Sequence, residues 1–368
     1  MKTRLKVLFV RPTLGYGGAD RVTLNLLQAY DREHFQCDLA LMRAEGDFIS
    51  DLPGDVELYD LEAKSLWSMW RPLVSLIRSG KYDIIYSTCG GASMPMMLAA
   101  GVSRFKGVTV VSERNILFPP NKSRWKRRVM IWVKSVLYKR ASWVTAVSKG
   151  VERECIEMLG VKPQKTIVVN NPIINQTLLQ GKQEEVHHPF FQKFDHVILA
   201  VGRFEWQKDY DTLLKAFELL FEKFSVGLFI LGKGPLQSRY ESMVQEKGMM
   251  ASVCFAGFDK NPFKFMSHSS VFALSSRHEG MPGVLIQAMA SGVSCVSTDC
   301  PTGPNELIND GQNGFLVPVE DYKSLAERIS LLLEDQSLRR KFISEGAMSV
   351  RRYEEMPGVQ SYFNFLVS

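Results

Sequence analysis

The chain predicts an α/β fold made of two doubly wound parallel-sheet domains, and three observations carry that expectation. Short apolar runs alternate with helix-patterned segments from one end to the other, as strands joined by crossover helices do. The series halts at Asn170-Asn171-Pro172, where proline disfavours a helical residue before it, and restarts at His196-Val197-Ile198-Leu199-Ala200-Val201. At 368 residues there is room for two domains of ordinary size. The expected division is a first domain over 1–172, a polar linker over 173–194, a second domain over 195–350, and a helical tail over 351–368 that packs back on the first domain.

In the first half, strands are expected near 5–10, 36–42, 83–87, 108–112, 143–147 and 166–169. Helices are expected near 19–30, 66–79, 92–101, 123–140 and 149–159. In the second half the strands fall near 196–201, 226–231, 253–255, 270–275, 294–297 and 314–317. Helices lie between them near 210–223, 236–247, 283–291, 303–308 and 321–334.

Composition narrows the class. The chain is 45% apolar and 23% charged, which argues against disorder or a fibre. No apolar run is long enough to span a bilayer, and Met1-Lys2-Thr3-Arg4 leads into a strand pattern rather than a secretory segment. The cysteines at 37, 89, 155, 254, 295 and 300 make no CxxC or Cys/His zinc spacing, so a reduced, cytoplasmic compartment and no metal are expected.

The net charge is +6, and its placement says more than its total. From Lys122 to Arg140 there are eight basic residues and no acid. Within this stretch Trp125, Val129, Trp132, Val133, Val136 and Leu137 recur at helical spacing, with Arg124, Arg127, Arg128 and Lys134 mostly off that stripe. Two readings stand side by side. In one the helix lays its apolar stripe on the sheet and exposes a solvated basic face; in the other it meets an anionic membrane leaflet or a pyrophosphate-bearing acceptor, with Trp67, Trp70 and Arg71 on the same surface. No nucleic-acid motif accompanies the charge.

Several strand-to-helix turns are built to hold anions. Glu279-Gly280-Met281-Pro282-Gly283 leads from a buried strand into the helix Val284-Leu285-Ile286-Gln287-Ala288-Met289-Ala290, whose first N–H groups can hold phosphate. Gly15-Tyr16-Gly17-Gly18-Ala19-Asp20-Arg21 opens a helix after the first strand, but it is not GxGxxG, which counts against a dinucleotide-dependent dehydrogenase. Arg203 and Lys208 lie five residues apart after the first strand of the second half, and can converge on a diphosphate. Asp209-Tyr210-Asp211 looks like a DxD metal motif but sits where a helix begins, so capping is expected and no metal is assigned. Leu231-Gly232-Lys233-Gly234-Pro235 and Phe255-Ala256-Gly257-Phe258 are further strand ends. As a set, the strand-end loops of both halves are expected to line one crevice. His278 has no GxSxG elbow or HExxH partner, so hydrolase readings fail.

Together these residues resemble a retaining glycosyltransferase of family 4, with the two-domain GT-B fold. The likeness covers nearly the whole chain. It is strongest over Ser275-Ser276-Arg277-His278-Glu279-Gly280-Met281-Pro282-Gly283 through Gly292, similar to the family's E-x7-E element, and over Ser297 to Phe315. The resemblance implies that Arg203 and Lys208 grip the donor diphosphate and that Glu279 contacts the transferred sugar. It also implies that amides from Met281 through Pro282 and Gly283 to Val284 add to the phosphate site. Gly17, Gly18 and Phe258 belong to the implied donor set, and Glu113, Arg114 and Asn115 to the acceptor side. Gln287 stands where the family has its second carboxylate, so one negative charge is lost near the nucleotide ribose.

The function so implied is transfer of a hexose or N-acetylhexosamine from a nucleoside-diphosphate sugar, UDP-linked, to a growing lipid-linked surface glycan. The product is polysaccharide of the capsule or lipopolysaccharide kind. No cofactor or metal is expected, and no nucleic-acid partner; the expected location is cytoplasmic and peripheral to the membrane. Two alternatives stay open: a non-catalytic nucleotide-sugar or glycan-binding subunit, suggested by Gln287, and an NAD-dependent oxidoreductase, suggested by the strand-glycine-helix start.

Overall fold

The structure is a computed structural model that describes residues 4–15, 17–117 and 124–367. The chain divides into two units, the first made of the described residues up to Pro172 together with those from Glu355 on, the second of Ile173–Glu354.

The first unit runs β1 (Leu5–Arg11), α1 (Gly18–Ala29), β2 (Phe35–Leu41), β3 (Leu58–Asp60), α2 (Trp70–Gly80), β4 (Ile84–Ser87), α3 (Gly90–Ser103), β5 (Val108–Glu113), α4 (Arg124–Tyr138), β6 (Trp143–Ala146), α5 (Lys149–Leu159) and β7 (Thr166–Val168). Its seven strands are ordered β3-β2-β1-β4-β5-β6-β7 and pair in parallel. Burial on both faces explains why β1 reads Leu-Lys-Val-Leu-Phe-Val-Arg with little alternation. The short edge strand β3 was not expected from the sequence, since three residues are too few to show a period.

Helix α4 corrects the expectation in one respect. Trp125, Val129 and Trp132 face outward, while Lys134 and Tyr138 are buried. The cause is electrostatic and 21 residues distant: Lys134 Nζ lies 2.6 Å from Glu113 Oε1 at the end of β5, and the Tyr138 hydroxyl donates to the same oxygen. Lys122 and the side chain of Arg124 fall outside the described residues, as does Tyr16.

The second unit begins inside the segment expected to be a linker. There α6 (Gln176–Gly181) is capped by Asn175, whose Oδ1 accepts from Leu178 N at 3.1 Å, and α7 (Phe190–Lys193) follows. Phe190 and Phe191 then pack against Phe229, and Phe191 also against Phe265, with ring centroids 5.1–5.8 Å apart. Apolar rings spaced among polar residues make this stretch part of the domain rather than a tether.

The series continues with β8 (His196–Val201), α8 (Tyr210–Glu218), β9 (Val226–Leu231), α9 (Gln237–Glu246), β10 (Val253–Gly257), α10 (Pro262–Ser267), β11 (Val271–Leu274), α11 (Gly283–Ser291), β12 (Ser294–Thr298), α12 (Pro304–Leu307), β13 (Phe315–Val317), α13 (Tyr322–Glu334) and α14 (Gln336–Ser349). The six strands are parallel in the order β10-β9-β8-β11-β12-β13, around a core that includes Phe204, Phe217, Leu228, Ile230 and Phe342. Strand order reverses between β8 and β11, the place where open α/β sheets bind ligands.

The last helix, α15 (Glu355–Phe363), belongs to the first unit. Phe363 sits 4.8 Å from Phe35 and 6.2 Å from Phe9, Tyr362 lies 6.1 Å from Tyr86, and the Tyr362 hydroxyl donates to Asn171 Oδ1 at 2.6 Å. Each such aromatic pair adds about 0.5–1.5 kcal/mol beyond the area it buries. The tail thus covers the face of β2, β1 and β4.

Candidate active site

The second unit gathers its site at the carboxyl ends of β8 and β11. Strand β11 is wholly apolar and buried, so its pleat is fixed, and the chain leaves it through Ser275 and Ser276. Glu279 is buried and accepts from Lys208 Nζ at 2.6 Å and from Ser276 Oγ at 2.7 Å, both on Oε1, with Gln207 Nε2 3.5 Å from Oε2. The two residues expected to act on sugar and diphosphate are therefore joined. Arg203 stands apart, paired to Glu205 at 3.1 Å with its side chain 73% exposed.

Beyond Glu279 the chain turns into α11 with no side-chain cap. Leu285 and Ile286 both donate to Pro282 O, and the N–H groups of Gly283 and Val284 meet no acceptor among the described residues. That end of the helix carries partial positive charge and free donors. Gly303, at φ +94°, packs beneath the turn; a Cβ there would come 2.9 Å from Gly280 O and 2.7 Å from Pro282 Cδ. Met281 and Pro282 are buried in the turn itself, and Gln287 is half-buried one helical turn beyond Gly283.

Neighbouring strand ends complete this edge. Gly232, at φ +148°, lies so close to Gly202 O that any side chain would collide, and its N–H donates to Gly257 O at 2.7 Å. The exposed Phe258 follows Gly257, so the loops after β10, β9, β8 and β11 run side by side.

A second cluster, not found from the sequence, clamps the Lys208 loop. Arg277 Nη2 lies 2.8 Å from Asp209 Oδ1, its Nη1 pairs with Glu320, and its guanidinium covers the Trp206 ring at 4.9 Å. Arg277 N donates to Gln207 O, Ser275 Oγ to Lys208 O, and Gln207 Nε2 to His278 O. This corrects the capping expectation for Asp209-Tyr210-Asp211. Asp209 is the N-cap residue by position, at φ +49°, but its carboxylate serves Arg277 and the Thr212 hydroxyl instead of a backbone N–H. Partners 68 residues apart in the chain leave no local sign. Among the described residues no group of three His, Cys, Asp or Glu side chains is placed to hold a metal ion.

His278 is buried against Trp206, and its Nδ1 has no partner among the described residues. Burial lowers its pKa, with Lys208 adding to that and Glu279 opposing it. The unfolded chain then holds more protons than the folded one just below the ordinary histidine value. We expect stability of the second unit to fall as pH drops through about 6.5, and His278→Gln to flatten that slope in urea titrations. An equal slope in wild type and variant would refute this.

In the first unit, β1 and β4 mark the reversal of strand order. The Gly17 N–H donates to Asp20 Oδ2 at 3.0 Å, and Asp20 pairs with the buried Arg11, so this amide serves its own helix. Gly18 opens α1 with clear space around its Cα. Glu113, expected on the acceptor side, is buried, with its Oε1 bonded by Lys134 and Tyr138. Arg114 donates to Thr88 O and to Asn171 Oδ1 at 3.2 Å, while Asn115 Oδ1 accepts from Ile116 N at 2.8 Å.

Residues 16–175 match the model of Glycosyltransferase Family 4, and residues 182–348 match that of Glycosyl transferases group 1. The chain belongs to this family of glycosyltransferases and has its GT-B fold. A Campylobacter jejuni protein named N-acetylgalactosamine-N,N'-diacetylbacillosaminyl-diphospho-undecaprenol 4-alpha-N-acetylgalactosaminyltransferase is 26% identical over 96% of this chain and 97% of its own. A second C. jejuni enzyme, an alpha-1,4-N-acetyl-D-galactosaminyltransferase named for a diphospho-undecaprenol-linked substrate, is 23% identical over 95% of each chain. Among solved structures, Anabaena Alr3699/HepE in complex with UDP and glucose superposes with a TM-score of 0.82 at 22% identity, over 99% of this chain and all of that one.

Proposed function

We propose that this glycosyltransferase moves a hexose or N-acetylhexosamine from a UDP-linked donor to a hydroxyl of a lipid-linked surface glycan, with retention at the anomeric carbon. The observation that carries the reading is the Lys208–Glu279 pair beside the uncapped start of α11. Breaking the sugar–phosphate bond leaves negative charge on the diphosphate and positive character on the sugar. Lys208, whose ammonium has three donors, can hold a phosphate oxygen while keeping Glu279, and the Gly283 and Val284 amides add two more donors. The exposed Arg203 is free to swing onto the same phosphate. Glu279 then faces the sugar's hydroxyls, and Gln287 the ribose.

Retention follows if the acceptor oxygen attacks the face the diphosphate leaves. The anomeric C–O bond to phosphate breaks, the bond to the acceptor oxygen forms, and the acceptor proton passes to the departing β-phosphate oxygen. No metal is called for in this scheme. Arg114 and Asn115 are the proposed acceptor-side groups. The bound nucleotide and sugar of the HepE structures and the diphospho-undecaprenol names of the C. jejuni relatives support the choice of donor and acceptor.

The test is a screen of UDP-glucose, UDP-galactose and their N-acetylated forms, with GDP-mannose as control, on short diphospho-polyprenol acceptors. Mass spectrometry would follow product and proton NMR its anomeric configuration. A UDP donor should give α-linked product. An inverted product would end the retention claim, and thermal protection by GDP but not UDP would end the nucleotide claim.

A further inference from the structure

Three of the exposed large apolar side chains lie on one stripe of α4: Trp125 at 63% exposure, Val129 at 51% and Trp132 at 68%. Their spacing of i, i+4 and i+7 keeps them within about 60° of one another around the helix axis. The half-buried Val136 extends the stripe, and the exposed Lys126 and Arg128 flank it on its two sides. The stripe cannot simply roll inward, because the opposite side of the helix is pinned through Lys134 and Tyr138 to Glu113.

We propose that this stripe docks α4 on an anionic lipid surface, with Trp125 and Trp132 seated at headgroup level and Lys126 and Arg128 on the phosphates. Tryptophan suits the membrane interface because its ring is both apolar and able to donate a hydrogen bond. Charge complementarity selects the occupant: the segment 122–140 holds eight bases and no acid, so it fits a surface of fixed negative sign. A second copy fits poorly, since a two-fold contact would set the same bases against themselves. Leu66 and Trp67 are also exposed, on a turn that, like α4, packs on α3. This inference goes beyond the transfer reading and does not depend on it.

The test is co-sedimentation of the full chain with vesicles of phosphatidylcholine alone or mixed with phosphatidylglycerol. Binding should require phosphatidylglycerol and weaken at high salt. Lys126→Gln with Arg128→Gln should lower it roughly fivefold for each charge removed. Trp125→Ser with Trp132→Ser should abolish it, while Trp132→Phe keeps part of it. Circular dichroism and thermal protection by UDP should be unchanged in all of these variants, so loss of vesicle binding is separable from loss of donor binding. Binding indifferent to lipid charge and to both tryptophans would overturn the proposal. So would a wild-type dimer in light scattering that becomes monomeric in the tryptophan variant and binds no vesicle in either form.

Discussion

Glu279→Gln is expected to cut transfer by about 10²–10³ in kcat while leaving UDP bound as tightly as before, or more tightly. The variant keeps an oxygen that can accept from Lys208 and Ser276, so the turn beneath it has no reason to unravel. What disappears is the negative charge that the proposed scheme sets against the sugar, together with its opposition to the diphosphate. Lys208→Met should behave differently: UDP affinity falls about tenfold to a hundredfold, from the loss of a charge-assisted hydrogen bond of about 1.5–3 kcal/mol. Calorimetric titration of UDP beside single-turnover transfer resolves the two effects. If Glu279→Gln lost UDP binding, transfer and thermal stability together, the carboxylate would be a structural partner of Lys208 and nothing more.

The Glu279 turn was readable because its signals are local. A buried strand, Gly and Pro in a tight turn and an apolar helix stopped by Gly292 lie within one short stretch, and backbone chemistry dictates what they form. The same holds for most elements of both sheets. Contacts between distant segments were not readable. Arg277 lies in the loop after β11 and Asp209 at the start of α8, and nothing in either neighbourhood names the other. Periodicity found α4 but could not say which side faces the sheet. A stripe containing Trp125, Val129 and Trp132 reads as a core face until Lys134 is seen to have a carboxylate waiting for it.

That carboxylate makes Lys134→Met the variant with the largest expected effect on stability. Glu113, Lys134 and Tyr138 are all buried, and Glu113 Oε2 lies against Gly90, where even a Cβ would come within 2.6 Å. Burial and the Glu113 charge push the Tyr138 pKa well up, so the phenol stays a neutral donor and cannot replace the lost ammonium. Removing Lys134 then strands a buried carboxylate at a cost of about 3–5 kcal/mol to the first unit. Adding Glu113→Gln should return most of it, because an amide still accepts from Tyr138 without a charge to compensate. Urea unfolding of the two single variants and the double variant gives the coupling directly, and simple additivity would mean the pair does not hold α4. The double variant also probes the exposed stripe. With the ion pair gone and only the Tyr138 hydrogen bond left to hold it, α4 rolls more readily and buries part of Trp125 and Trp132 at the expense of a methionine. Vesicle binding should therefore weaken in the double variant even where its stability is restored.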